Sequence, residues 1–307
     1  MPIWASISMF KSCVYMENNI NIKKIIKAVV YSMILLVLFL IVQTALDVFS
    51  MAFSAGYAIF RAFKGDSFYL SRPITEFATG PDAVALATLL ATAATAILFG
   101  MWWILHNRDW GMLSKRFKNG LNAVKSKFFV LIIVALFAYG LAEISFLIVA
   151  LLSPEAVEKY EKLSESFVSN KPIIDILTLA ILAPIGEECL FRGLILEKYS
   201  KCMNVWVAII LQALLFGIFH GNLVQGFYVL ALGAINGYLV MKFGSVLPAI
   251  LTHMILNGFS LSLSYIPETM VSTKQFQSLI LMIPFMAGGL LFTLLPRDEY
   301  GQIDLRL

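Results

Sequence analysis

The chain has 307 residues, of which 60% are hydrophobic and 14% charged, and its mean hydropathy is +0.84. Soluble domains carry about 45–50% apolar and about 25% charged residues, so this composition excludes a water-soluble globule and indicates a polytopic membrane protein. The net charge of +4 comes from basic residues beside apolar runs, which points to membrane orientation and not to a nucleic-acid partner. The three cysteines lack CxxC spacing, which argues against a disulfide framework and a thiolate zinc site.

The apolar runs predict the fold class, because a bilayer-spanning helix needs about 20 mostly apolar residues. We predict spans at 26–46, 83–105, 128–152, 173–195, 204–221, 224–241, 246–265 and 277–295. The predicted fold is an all-α polytopic membrane bundle of about eight transmembrane helices, forming a single domain over residues 1–307. No compact apolar region or cleavage site precedes the first run, so we expect that run to remain as a membrane helix.

Basic residues alternate between the connections of the predicted bundle. Segments 1–27 and 106–127 are basic, whereas 153–172 holds four glutamates against three lysines. The positive-inside rule therefore places both termini and 106–127 in the cytoplasm, and 153–172 outside. The compact chain without a targeting segment suggests an integral protein of a bacterial plasma membrane.

Ionisable side chains interrupt three of the C-terminal apolar runs, where a buried charge costs at least about 2.5–3.5 kcal/mol. The run ILAPIGEECLFRGLIL contains Glu187, Glu188 and Arg192. On a helix, Glu188 and Arg192 lie at i,i+4 and can form an ion pair. Glu187 points about 100° away, which leaves it free to act as a general base. An ion network of all three that only locks two helices together is the alternative.

Two further runs carry histidines. His220 follows Phe216 in FGIFH, where the phenylalanine could wall a pocket and the histidine could equally be a core residue. His253 and Asn257 lie at i,i+4 and face the same way, so they could supply two hydrogen-bond donors or form a helix–helix hydrogen-bond pair. Glutamate, histidine and a histidine–asparagine pair on three spans together fit water activation for hydrolysis.

The three motifs, taken in order, resemble those of a known family. EExxxR at 187–192, FxxxH at 216–220 and HxxxN at 253–257 are similar to the motifs of the CPBP family, the CAAX proteases and bacteriocin-processing enzymes. This family, also called Abi, includes the type II CAAX prenyl endopeptidases. The resemblance covers about residues 172–260, the expected catalytic core, and leaves residues 1–171 as additional N-terminal spans. It implies an intramembrane endopeptidase acting on a membrane-associated or leader-type peptide.

The resemblance also implies roles for the site residues. Glu187 would activate water with the help of His220, while His253 and Asn257 would stabilise the oxyanion. Glu188, Arg192 and Phe216 would support the architecture. The family has been described both as metalloproteases and as metal-free glutamate-dependent enzymes. Since the chain has no HExxH motif, we expect no metal; the alternative is Zn²⁺ bound by ligands from Glu187, Glu188, His220 and His253.

One geometric difficulty and two rival functions remain open. At 1.5 Å per residue, Glu187 lies about 12 Å, His253 about 10 Å and His220 about 25 Å from the inner boundary. We therefore expect the fifth span to start nearer residue 208, with 197–207 along the interface, and the helices to tilt. A non-catalytic scaffold or bacteriocin self-immunity protein is the alternative function. A proton-coupled transporter is disfavoured because matched inverted halves are not apparent. The expected partners are a peptide or membrane-protein substrate and membrane lipid.

Overall fold

The computed structural model describes residues 21–107, 109–169, 171–271 and 286–288. Throughout these residues the regular structure is helical, and they contain no strand, as the predicted all-α fold requires. Their helices, which we number in chain order, are α1 (Ile22–Phe63), α2 (Ser67–Leu70), α3 (Ile74–Thr79), α4 (Pro81–His106), α5 (Trp110–Leu152), α6 (Pro154–Phe167), α7 (Pro172–Asp175), π1 (Ile176–Leu182), α8 (Ala183–Glu188), π2 (Cys189–Leu196), α9 (Glu197–Ser200), α10 (Val205–Phe219), α11 (Leu223–Phe243), α12 (Leu247–Ser264) and α13 (Glu268–Val271).

The N-terminal helix α1 is a long, lipid-compatible helix. Its first turn is capped by Asn21, whose side chain accepts a hydrogen bond from the backbone N–H of Lys24. Large apolar side chains remain uncovered along it, with Val48, Phe49 and Phe53 each more than half exposed. Exposed apolar surface on this scale is what a hydrocarbon environment requires. The helix also continues well beyond the predicted span 26–46.

Helix α5 combines two of the predicted segments. Its backbone leaves helical geometry at Lys127 (φ −121°, ψ 17°), next to residue 128, where the sequence predicts a span to begin. The basic segment before the kink, predicted as a connection, is therefore itself helical. Polar helix α6 follows, with i,i+4 ion pairs such as Lys159–Glu155 on its exposed surface.

The central element is a single helical run, α7 to α9, which contains two π-helical segments, π1 and π2. In π1 and π2 the backbone adopts the wider π geometry, in which N–H groups reach back five residues. Leu190, Phe191 and Ile195 are completely buried, so the apolar core of the described bundle surrounds this run. The predicted span 173–195 is confirmed as helical, and the run extends to Ser200.

Helices α10 and α11 form a hairpin at the predicted break. Gly221 has φ +68°, a left-handed conformation that glycine adopts without strain. A side chain at Gly217 would approach the Gly226 carbonyl oxygen to 2.7 Å, so the two glycines allow the backbones to pack directly. This close packing positions the end of α10, which carries His220, against the rest of the bundle.

The described part contains five helices long and apolar enough to cross a membrane: α1, α4 with the preceding α3, α5, α11 and α12. The interrupted run α7–α9 and the shorter α10 correspond to the predicted fourth and fifth spans. The predicted eighth span, 277–295, lies outside the described residues except for 286–288. These helices fit an integral membrane protein.

Candidate active site

Glu188 lies at the centre of a closed polar cluster. Its side chain is fully buried, and its Oε1 lies 3.0 Å from an Nη1 nitrogen of Arg192. The same oxygen accepts hydrogen bonds from Asn236 Nδ2 at 3.0 Å and His253 Nδ1 at 2.9 Å. One carboxylate oxygen thus contacts groups from three helical elements, which confirms the predicted Glu188–Arg192 pair and explains how the buried charge is tolerated.

Glu187 occupies a different face of α8. Its side chain is 18% exposed, and its Oε2 lies 3.9 Å from His253 Nε2. This separation is beyond a direct hydrogen bond, so the carboxylate is near the imidazole without being fixed by it. Its placement matches the prediction that Glu187 is turned away from the Glu188–Arg192 pair.

His253 connects the two carboxylates. An ionised carboxylate can only accept a hydrogen bond. The contact at 2.9 Å therefore requires a proton on Nδ1 of His253, which donates a hydrogen bond to Glu188. This hydrogen bond fixes the orientation of the ring and turns Nε2 towards Glu187. Burial is almost complete, with His253 3% exposed. Nδ1 of His253 is therefore held by the hydrogen bond to Glu188, and Nε2 is the ring nitrogen that could take part in a reaction.

The ring of Phe216 joins the two histidines and Arg192. It lies edge-to-face with His220 at 4.8 Å and with His253 at 6.0 Å between centroids. The Arg192 guanidinium carbon lies 4.4 Å from the same ring centroid, a cation–π distance. Phe216 thus packs against both histidines and Arg192, and through it His220 belongs to the cluster.

The predicted depth mismatch of His220 disappears because the helix boundaries differ from those expected. Residues 197–200 continue the central run as α9, and α10 begins at Val205, so the expectation that the fifth span starts nearer residue 208 is wrong. Measured from Ser200, Glu187 is about 20 Å along its helix, and His220 is about 22 Å from Val205. His220 itself donates from Nδ1 to the Phe216 carbonyl at 2.8 Å, which leaves its Nε2 free.

Asn257 has a partner that sequence reasoning did not identify. Its Nδ2 donates to the backbone carbonyl of Leu179 at 3.0 Å. In π1 the Ala183 N–H bonds to Thr178, and the next residue in that register, Pro184, has no N–H to offer Leu179. The Asn257 amide therefore replaces a missing backbone donor. One amide hydrogen is used in this way, and the other remains for the predicted oxyanion contact.

Two buried amides in the neighbouring helices were also missed. Asn236 on α11 is completely buried and bridges Glu188 to the Ala249 carbonyl. Gln212 on α10, equally buried, donates to the carbonyls of Ile209 and Gly233. Both lie in otherwise apolar runs, and a polar amide in such a run was the available signal.

Two of the atoms in the alternative Zn²⁺ ligand set contact each other directly. His253 Nδ1 and Glu188 Oε1 are bound to each other, so neither atom faces an open coordination position. Across the part of the chain that the structure describes, no group of three or more His, Cys, Asp or Glu side chains is placed to hold a metal ion. The candidate ligands Glu187 and His220 lie beside His253 but do not complete such a set.

The residues of this polar cluster lie within a segment of the chain that matches a known protein-family model. The model of the type II CAAX prenyl endopeptidase Rce1-like family matches residues 169–259. This segment contains all three motifs and runs from just before α7 into α12, so the predicted family resemblance is confirmed there.

A curated relative matches over a similarly short stretch. The "Uncharacterized 24.3 kDa protein" of Escherichia coli is 33% identical over 87 residues, which are 27% of this chain. The matched stretch covers 40% of the length of that relative. No solved structure matches the chain significantly. The Rce1-like segment supports an endopeptidase of the CAAX type in general, and does not favour the alternative of a non-catalytic scaffold or self-immunity protein.

Proposed function

We propose that this chain is an intramembrane endopeptidase in which Glu187 activates water to hydrolyse a peptide bond. The observation that carries the proposal is the unequal use of two adjacent carboxylates around His253. Glu188 holds Nδ1 at 2.9 Å, whereas Glu187 lies 3.9 Å from Nε2 and is partly exposed. A general base needs this combination of proximity and freedom, because it must reach a water molecule and change its protonation state.

The proposed reaction begins with proton transfer from water to Glu187. The water oxygen attacks the carbonyl carbon of the peptide, and the carbonyl oxygen becomes the oxyanion. His220 Nε2, left free by the hydrogen bond from Nδ1 to Phe216, accepts a hydrogen bond from the water. Glu187 then returns the proton to the amine nitrogen as the C–N bond breaks.

His253 and Asn257 are proposed to stabilise the oxyanion. Glu188 is paired with Arg192, and the second carboxylate, Glu187, lies 3.9 Å from Nε2 of His253. An imidazolium would donate from Nε2 to the oxyanion while Glu188 continues to accept from Nδ1. The second amide hydrogen of Asn257 would be the other donor.

The proposed substrate is a membrane-associated or leader-type peptide in a bacterial plasma membrane. The apolar helices and the buried position of the cluster support a reaction inside the bilayer. The distribution of lysine and arginine supports a topology with both termini in the cytoplasm.

The proposal is tested by incubating the purified full-length protein in detergent with a peptide library and identifying the products by mass spectrometry. We expect cleavage by the wild-type protein and none above background by Glu187→Gln. Equal cleavage by both proteins would remove Glu187 from the mechanism.

A second arm of the same experiment adds a strong chelator. Because the geometry offers no set of three converging ligands, we expect the cleavage rate to stay within about twofold of the untreated rate. Loss of activity that returns with Zn²⁺ would instead support the metal-dependent alternative.

A further inference from the structure

A cavity of about 310 Å³ opens near the ends of α4, α9 and α11. We call it the basic cavity, because its lining includes four cationic side chains and one carboxylate: Lys115, Arg116, Arg192, Lys242 and Glu197. Neither Glu187 nor the two histidines of the active site line it. It is therefore separate from the reacting groups, although Arg192 is shared with the Glu188 cluster.

Two buried side chains beside the cavity carry donors that have no hydrogen-bond partner within the described residues. All three guanidinium nitrogens of Arg192 are such donors, although Nη1 lies 3.0 Å from Glu188 Oε1. The indole Nε1 of Trp103 is likewise unpartnered. Arg192 and Trp103 are 1% and 3% exposed. Unmade hydrogen bonds from buried donors are costly, so a ligand rich in acceptor oxygens would be stabilised in this cavity.

Two lysines extend the positive charge to the rim of the cavity. Lys115 on α5 and Lys242 on α11 are both exposed and approach from different helices. Arg116 contributes less, because it is already paired with Glu197 at 2.7 Å. Donors on separate walls suit the tetrahedral oxygens of a phosphate better than a planar carboxylate, which one guanidinium can satisfy.

The position and the apolar lining of the cavity indicate the source of the phosphate. Met112, Val240 and Phe243 line it beside the charged groups, as an ester-linked glycerol backbone would require. It also lies at the ends of apolar helices, at the side that the basic residues predict to be cytoplasmic. Basic pockets between transmembrane helices on that side are suited to anionic lipid head groups.

We propose that the basic cavity binds the phosphate head group of an anionic membrane lipid. The bound phosphate is held at the rim by Lys115 and Lys242, and the buried donors of Arg192 and Trp103 lie behind it. Because Arg192 also pairs with Glu188, which orients His253, lipid binding and the geometry of the active site are physically connected. The binding claim does not depend on peptidase activity, since it is measured without a peptide substrate.

The test follows thermal unfolding of the full-length protein in neutral detergent by tryptophan fluorescence. Dioleoyl phosphatidylglycerol, dioleoyl phosphatidylcholine and inorganic phosphate are titrated separately. The test variant is Lys115→Gln/Lys242→Gln. The matched control is Lys118→Gln/Lys125→Gln, which removes the same charge from exposed positions that do not line the cavity.

We expect phosphatidylglycerol to raise the Tm of the wild-type protein in a saturable way, because a ligand that binds the folded state stabilises it. The apparent Kd should weaken roughly 25-fold in the test variant, about fivefold per lysine, and less than fivefold in the control. Phosphatidylcholine and inorganic phosphate should produce little shift. This pattern supports a lipid phosphate site.

Each of four results would overturn the proposal. Equal weakening in both double variants would indicate nonspecific surface attraction, and an equal shift with phosphatidylcholine would remove the charge requirement. An equally variant-sensitive shift with inorganic phosphate would assign the cavity to free phosphate. Displacement of phosphatidylglycerol by a peptide with a free C-terminal carboxylate, but not by its amide, would make the cavity a peptide subsite.

Discussion

The Glu188 side and the Glu187 side of helix α8 carry the same functional group in two different environments. On the Glu188 side, one oxygen contacts Arg192, Asn236 and His253, and the side chain has no exposed surface. On the Glu187 side, the carboxylate is 18% exposed, and its Oε2 lies 3.9 Å from His253 Nε2. Neighbouring positions on a helix thus separate a carboxylate held by three partners from one that is partly exposed.

This difference shows how a bundle can keep a reactive carboxylate inside a membrane. The Glu188 side balances the positive charge of Arg192 and orients the imidazole, while the Glu187 side leaves a partly exposed carboxylate near Nε2 of that imidazole. Buried ion pairs contribute little net stability but are expensive to break. We therefore expect changes on the Glu188 side to act mainly on folding and changes on the Glu187 side to act mainly on chemistry.

The largest expected effect is on the catalytic rate of Glu187→Gln. The amide keeps the size of the side chain but cannot accept the proton from water, so the cleavage rate should fall about 10²–10⁴-fold. The free energy of unfolding should change by less than about 0.5 kcal/mol, because no close partner is lost. Single-turnover cleavage and unfolding in mixed micelles measure the two quantities on the same preparation.

The proposed difference between the two carboxylates would be wrong if Glu187→Gln and Glu188→Gln lowered the free energy of unfolding equally while cleavage persisted in both variants. Such a result would place both carboxylates in one structural ion network, the alternative that the sequence left open. Glu188→Gln is the matched control because it makes the same chemical change one residue away.

The next largest effect is on stability, in Glu188→Ala. Removal of this carboxylate leaves Arg192 buried without its counter-ion and frees Nδ1 of His253. We expect a loss of about 3–5 kcal/mol in the free energy of unfolding, measured by unfolding in mixed micelles.

A double variant separates charge from orientation on the Glu188 side. Glu188→Ala/Arg192→Met removes both charges, so it should recover much of the lost stability. Cleavage should remain impaired, because His253 still lacks the acceptor that orients it. Recovery of cleavage together with stability would mean that Glu188 does not orient the imidazole.

The polar pattern of the site was predictable wherever it depended on helix spacing alone. The i,i+4 separation of Glu188 and Arg192 predicted their pair, and the 100° rotation predicted that Glu187 faces elsewhere. The partner of Asn257 was not predictable, because it depends on the π register around Pro184 and on a carbonyl in another helix. The same reason applies to Asn236, whose role requires knowing which helix packs beside α8.

The apolar runs likewise predicted the helices but not where they end. Helix α1 continues to Phe63 because the residues after 46 remain largely apolar and helix-compatible. The basic segment 110–127 is helical because it contains lysine, arginine and leucine, which are all good helix formers. The depth mismatch of His220 arose because the fourth span was predicted to end at 195, whereas the helical run continues to Ser200.

A smaller effect is expected from Asn257→Leu, and it tests why this asparagine is present. Leucine has a similar size but cannot donate to the Leu179 carbonyl, so the free energy of unfolding should fall by about 1–3 kcal/mol. Pro184→Ala should offset part of this loss, since it restores a backbone N–H near that carbonyl. Unfolding of the single and double variants gives their coupling energy.

The same variants separate the structural and oxyanion roles of Asn257. If it serves both, Pro184→Ala restores stability to Asn257→Leu without restoring the cleavage rate. Recovery of both properties would show that Asn257 acts only through the backbone of π1, against the proposed oxyanion contact.

The smallest expected effect concerns Glu197, another carboxylate of the same helical run, which lies near its C-terminal end. Burial alone would raise the pKa of Glu197, but hydrogen bonds from Arg116 and Lys201 outweigh it and lower the pKa below its ordinary value of 4.5. A carboxyl pKa lowered by folding stabilises the protein above its unfolded value, and this contribution is lost as the pH falls through the folded value. Glu197→Gln should therefore cost at most about 1 kcal/mol at pH 7, and its Tm should converge with that of the wild-type protein as the pH falls through the folded pKa of Glu197. A pH-independent difference, or a loss as large as that of Glu188→Ala, would show that burial does not set the strength of these ion pairs.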